Sequence, residues 1–158
     1  MLFVLFHLGP ERYAIAAQRV VEVVPFLALK KLPQSQRGVA GMFLYRGRPV
    51  PALDLCELTI GRPAQEHFST RIIIINYSTD DGEEQLLGLI AERVTDTMKR
   101  TEKEILAADK RVAGSTFLGP VLTDANGAIQ VINPEKLLHD GLRARLFHQS
   151  LESGHATH

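Results

Sequence analysis

The apolar residues of this chain come in short runs, and almost every run is stopped by glycine, proline or a polar cluster. Runs of that kind suit strands and are too brief for the amphipathic period of a packed helix. "LFVLFHL" (2–8) breaks at Gly9-Pro10 and resumes as "RYAI" (12–15), which predicts a hairpin. "AAQRVVEVV" (16–24) predicts a helical turn feeding a strand, because Val20, Val21, Val23 and Val24 favour extended backbone. "LKKLPQSQRG" (29–38) reads as a loop. "GMFLYRG" and "PVPAL" (41–53) form a second hairpin about Gly47. Pro49 and Pro51 lack the N–H a ladder needs, so that strand is predicted to lie at an edge. "DLCELTIG" (54–61) predicts one helical turn, capped by Asp54 and ended by Gly61. "TRIIIINY" (70–77) is the most apolar strand and is placed at the centre. "STDDGEEQ" (78–85) makes an exposed hairpin tip, and "LLGLIA" and "RVTDTM" follow as two strands. "FLGPVLTD" and "AIQVI" flank the turn "DANG" (124–127). Asn133 followed by Pro134 predicts an N-cap and first helical position, opening a C-terminal helix over 134–149. The polar residues 150–158 read as a disordered tail.

The chain also repeats itself. "ERYAIAAQRVVEVV" (11–24) lies on "QLLGLIAERVTDTM" (85–98) without gaps, matching Ala17 to Ala91, Arg19 to Arg93 and Val20 to Val94, with Glu22 facing Asp96. Each copy is followed by a strand beginning near a glycine (Gly41, Gly119), a glycine turn (Gly47, Gly127), a second strand and a helical segment. Two small β-barrels packed together within residues 1–149 account for this. Each is too small to be stable alone, which predicts a shared core.

Composition narrows the function. Eighteen basic and eighteen acidic residues give zero net charge, so no global field recruits nucleic acid or an anionic membrane. The basic cluster of Lys30, Lys31 and Arg37 is too thin to change that. Cys56 is the only cysteine, which excludes an intrachain disulfide and predicts a reducing, cytoplasmic setting. "MLFVLFHL" lacks the charged start and cleavage site of a signal peptide and reads as a buried strand. The six histidines show no metal-ligand spacing, no glycine-rich phosphate loop occurs, and Cys56 beside leucines reads as a small buried hydrophobe. The acidic cluster Asp80, Asp81, Glu83 and Glu84 is better explained by a solvated tip than by a calcium site. No catalytic residue, metal or cofactor is therefore expected. A hairpin with apolar arms and a cationic tip suits a surface that grips another protein, since arginine is enriched at interface hot spots. Arg46 is expected to face a partner and Arg48 to be solvated; the alternative is that Arg46 merely caps its own turn.

With those residues in view, the chain resembles the chemotaxis coupling protein (CheW) family over about residues 2 to 140. The resemblance is carried by "F.LG.ERYAI....V.EV" (Phe6 to Val23), "LP......GVAG....RG.PVPALDL" (Leu32 to Leu55), "GLIAERVTD" (Gly88 to Asp96) and "FLG" through "VINPEKLL" (to Leu138). It implies a mainly β fold of two five-stranded SH3-like barrels in tandem, with short helices. It implies a non-enzymatic adaptor that joins the regulatory domain of a CheA-type histidine kinase to the cytoplasmic hairpin tips of methyl-accepting chemoreceptors. Arrays of that kind sit at the inner membrane without direct membrane contact by the adaptor. Val20, Glu22, Gly41, Arg46 and Gly47 fall where the family's partner contacts cluster. A receptor helix would lay its apolar stripe into a groove between the barrels. Alternatives are a kinase-binding regulator without receptor contact, or a divergent β-barrel enzyme. The chain departs from the family pattern at Ala16, Phe43, Tyr45, Cys56 and in "AERV" (91–94), which implies a member serving a non-flagellar pathway.

Overall fold

Gly9, at φ 64°, turns β1 (Leu2–Leu8) back into β2 (Glu11–Ala16), and the two pair antiparallel from Phe3↔Ala16 to Leu8↔Glu11. The computed structural model describes residues 1–26, 28–31, 37–78, 82–107 and 118–137. A 3-10 turn at Ala17–Arg19 then leads into β3 (Val20–Pro25), as the sequence predicts. The second hairpin joins β4 (Val39–Tyr45) to β5 (Arg48–Asp54). Asp54 caps α1 (Leu55–Ile60), accepting from the backbone N–H of Cys56 and Glu57, and Gly61 ends it in a left-handed conformation. Further along come β6 (Arg71–Ser78), β7 (Glu84–Lys99), α2 (Glu102–Leu106), β8 (Leu118–Asp124) and β9 (Gly127–Ile132).

The strands run in the order β3-β6-β7-β1-β2-β9-β8, with the β4–β5 hairpin attached through β5 to β7. This resolves into two five-stranded halves. The first holds β1, β2, β8, β9 and the end of β7; the second holds β3, β4, β5, β6 and the start of β7. The pairing pattern is the same in each. β2 has β1 antiparallel on one side and β9 parallel on the other, while the start of β7 has β6 antiparallel and β5 parallel. Among the described residues no strand pair closes either half into a complete barrel. In the second half the chain after β3 returns to β4 at one bridge, where Lys30 and Met42 exchange backbone hydrogen bonds of 2.8 and 2.7 Å.

Three expectations need correction. "LLGLIA" and "RVTDTM" are not two strands but one, β7, which serves both halves. It changes partner at Arg93, a non-glycine residue at φ 47°, and its pairing with β1 slips between His7↔Glu92 and Leu5↔Asp96. That is a β-bulge, which lets one strand bend between two sheets without breaking. The proline-bearing β5 is an edge over only part of its length. Arg48–Pro51 borders β4 alone, but Ala52–Asp54 pairs parallel with Gly88–Ile90 of β7. The prolines sit before that second ladder begins, so their missing N–H groups cost it nothing. Finally, α2 is unanticipated, although Thr101 and Glu104 form a full capping box. Asn133 does accept from the N–H of Glu135, and a 3-10 turn spans Pro134–Lys136. The rest of the predicted C-terminal helix, the tail, residues 79–81 of the "STDDGEEQ" tip and residues 32–36 of the 29–38 loop lie outside the described residues.

The four isoleucines face two cores. Ile73 and Ile75 join Phe6, Leu8, Ile15, Leu87, Leu89, Ile132 and Leu137 in a cluster drawn from both halves. Ile72 and Ile74 point the other way, onto Phe43, Tyr45, Val50 and Ile90. A central strand buried on both faces needs this continuous apolar run.

Candidate protein-docking site

Two residues, Arg46 and Gly47, connect β4 to β5, and both have positive φ, at 51° and 78°. That is the backbone of a type I′ hairpin, whose twist matches the strands it joins. Glycine adopts it freely, and a Cβ at Gly47 would meet nothing within 4 Å. Arginine adopts it under strain. What holds it is a cluster with β3: the Tyr45 hydroxyl donates to Glu22 Oε1 at 2.9 Å, and Arg46 Nη2 donates to the same oxygen at 3.2 Å. The guanidinium also lies 5.2 Å from the centroid of the Tyr45 ring. The hydrogen bond to Glu22 holds the Tyr45 phenol above its ordinary pKa. Arg46 nevertheless remains 76% exposed at its side chain, so its outer face is free for another protein.

Of the five residues singled out by resemblance, Glu22, Arg46 and Gly47 thus meet at one corner. Tyr45, the ring beneath Arg46, belongs with them. The other two act from below. Val20 opens β3 and packs on the shared core, and Gly41 is buried where β4 passes the 29–30 segment. A Cβ at Gly41 would lie 2.5 Å from the backbone oxygen of Lys30, so close passage explains this glycine. Arg48 is exposed. Apolar neighbours stand beside the corner residues in sequence, Val21 at the β3 bulge and Leu44, with 43% and 64% of their surface exposed.

A second feature lies at the junction of the halves. A groove of about 440 Å³ is lined by Val4 of β1, Val23 of β3, Arg71 of β6 and Val94, Thr95, Asp96 and Thr97 of β7. It exists because β6 begins at Arg71 while β7 runs on past the bulge to pair with β1. Sequence reading foresaw a groove between the halves but not its residues, since they come from four strands.

Elsewhere the polar groups lock the fold. Glu92, only 5% exposed, accepts from the backbone N–H of Gly9 (3.0 Å) and Gln65 (2.7 Å) and from Arg62 (3.1 Å), tying the β1–β2 turn to the loop before β6. Burial opposes its charge, but the Arg62 guanidinium and the two N–H groups outweigh that and hold the carboxyl down at about 2. Cys56 is fully buried, and burial, then the charges of Glu92 and Asp54, push its thiol up to about 12. A thiol so protonated is no nucleophile. No cluster of three or more metal-ligating side chains occurs among the described residues, and no described helix is long and apolar enough to cross a membrane.

Comparisons with known proteins bear on the family and the fold. The CheW-like domain model matches residues 2–141. The chemotaxis protein CheW of Helicobacter pylori (strain ATCC 700392 / 26695) is 26% identical over 104 residues, covering 65% of this chain and 59% of that protein. The match thus spans less than two thirds of that relative's length. The crystal structure of scaffolding protein TtCheW from Thermoanaerobacter tengcongensis has a TM-score of 0.70 at 23% identity, covering 83% of this chain and 82% of that one. It has the same fold. By its sequence over residues 2–141, the chain belongs to the CheW-like domain family.

Proposed function

We propose that this protein couples the cytoplasmic hairpin tips of chemoreceptors to the regulatory domain of a CheA-type histidine kinase, within arrays at the inner membrane. The observation that carries the reading is the match to the CheW-like domain along nearly the whole chain. The geometry supports it with two kinds of surface. The Glu22–Tyr45–Arg46 corner suits the kinase, because an exposed arginine fork braced by a ring and a carboxylate is pre-organised for charge-assisted hydrogen bonds. The junction groove suits a receptor helix, because valines line it and charges flank them. An adaptor of this kind acts through a coupling free energy between its two contacts and needs no chemistry of its own.

Calorimetry tests both halves of the reading. The protein is titrated with its cognate kinase regulatory domain and, separately, with receptor hairpin fragments from the same host, without nucleotide or metal. Association with each partner is expected. Absence of kinase binding at about 100 μM would count decisively against the reading, as transient signalling contacts are commonly micromolar. Kinase binding without receptor binding would make the protein a kinase regulator alone.

A further inference from the structure

Valines alone do not define what the junction groove accepts. Arg71, the first residue of β6, is half-buried there, with its backbone in register with Pro25 of β3 and Ala91 of β7. Its Nε is buried and has no hydrogen-bond partner. No ion pair joins Arg71 to any acid among the described residues. The other charge in the groove, Asp96, takes a hydrogen bond from Thr95 Oγ1 at 3.2 Å instead. The protein therefore holds a half-buried guanidinium against an apolar wall, with its Nε sealed off and its Nη groups, which make no hydrogen bond to the described residues, left at the groove's surface.

That arrangement leaves the end of the fork open to a carboxylate. A guanidinium offers five N–H donors in a planar fork that matches a carboxylate through two parallel hydrogen bonds. With Nε out of reach of water and acceptor alike, recognition falls to the Nη groups, whose charge-assisted hydrogen bonds strengthen in this partly apolar setting. Val4, Val23 and Val94 beside it would cover apolar side chains of the same partner. A helix satisfies both demands when an Asp or Glu sits three or four residues from its apolar stripe, since those positions share one face.

We propose that Arg71 is the specificity-determining residue of this groove, and that it binds a carboxylate flanking the apolar stripe of the docked helix. The assignment rests on the reading that the groove receives a chemoreceptor helix, and it adds which helices are accepted.

The test uses the full chain and hairpin-tip fragments of the host's own chemoreceptors, with the kinase regulatory domain as a folding control. Arg71→Met, which keeps the stem and removes the fork, should weaken receptor binding by about tenfold or more while kinase affinity is retained. Arg71→Glu should weaken it further, and Arg71→Lys should recover only part. Receptor affinity of the unaltered protein should fall with added salt more steeply than that of Arg71→Met. On the receptor side, exchanging the carboxylates beside the apolar stripe for amides, one at a time, should find one whose loss matches Arg71→Met. Replacing that acid by arginine should restore binding to Arg71→Glu. The receptor-side series needs no change in this protein, so it decides the matter even where an Arg71 variant fails to fold. Receptor binding that is indifferent both to Arg71→Met and to every carboxylate exchange overturns the assignment and leaves the docking reading standing. Unaltered protein that binds kinase but no receptor fragment overturns both.

Discussion

Arg46 occupies a left-handed turn position at φ 51° that glycine would occupy without strain. Its ion pair with Glu22 is exposed and contributes at most about 1 kcal/mol, roughly what the backbone strain costs. Arg46→Gly should therefore leave stability within about 1 kcal/mol of the parent, by thermal melting, while kinase affinity falls by about 2 kcal/mol. Arg48→Ala should change that affinity by less than about 0.5 kcal/mol. A large fall in melting temperature with intact affinity would instead make Arg46 a cap for its own turn. Glu92 carries a different prediction. Its folded pKa of about 2 lies below the usual 4.5, so the stability it contributes is complete above that ordinary value and is lost as acid is added, between about pH 5 and pH 2. Asp124, held down at about 2 by Arg12 and the N–H of Asn126, titrates in the same window. Glu92→Gln should cost about 2–4 kcal/mol at neutral pH and flatten the acid limb of the stability profile. An unchanged acid limb would show that other carboxylates govern it. Arg46 was legible from its glycine turn. Glu92 was not, because its burial depends on the β7 bulge and Arg62 stands 30 residues away.

Asp54 is the hinge of the β5–α1 element. One carboxylate oxygen takes the N–H groups of Cys56 (2.9 Å) and Glu57 (3.2 Å), and the other takes that of Ala64 (2.9 Å). Burial still raises its pKa, those hydrogen bonds notwithstanding, so this cap is held at some electrostatic cost. Asp54→Ala should destabilise by about 1–3 kcal/mol in urea, and amide exchange should speed up first in residues 55–60. Uniform exchange across the chain would mean that α1 does not open on its own. Gly41→Ala should cost more than a surface change, about 2 kcal/mol or above, because its Cβ meets the Lys30 carbonyl rather than a side chain that could move. At this scale the hairpins were readable, since glycines and "DANG" mark their turns in the sequence. The parallel ladders β2–β9 and β5–β7 were not readable. No turn announces them, and their register is set only when distant strands meet.

Across the whole molecule, the principal core takes Phe6, Leu8 and Ile132 from one half and Ile73, Ile75 and Leu87 from the other. β7 runs through both. One cooperative unfolding transition is expected by calorimetry, with coincident loss of all probes. Ile73→Ala or Ile75→Ala should each cost about 2–5 kcal/mol and lower that single transition rather than split it. Two resolved transitions would show halves that stand alone. The internal repeat pointed to two packed halves, but not to a strand common to both. The topology also opposes the order of synthesis. β1 leaves the ribosome first, yet it ends in the middle of the sheet, beside residues 92–99, and β2 next to it waits for β9. A nascent chain must carry an apolar strand with an incomplete partner set until β7 and β9 have been translated. Such non-local pairing predicts folding on the slow side, in milliseconds to seconds, and makes the half-made chain, rather than the finished fold, the species most in need of a chaperone.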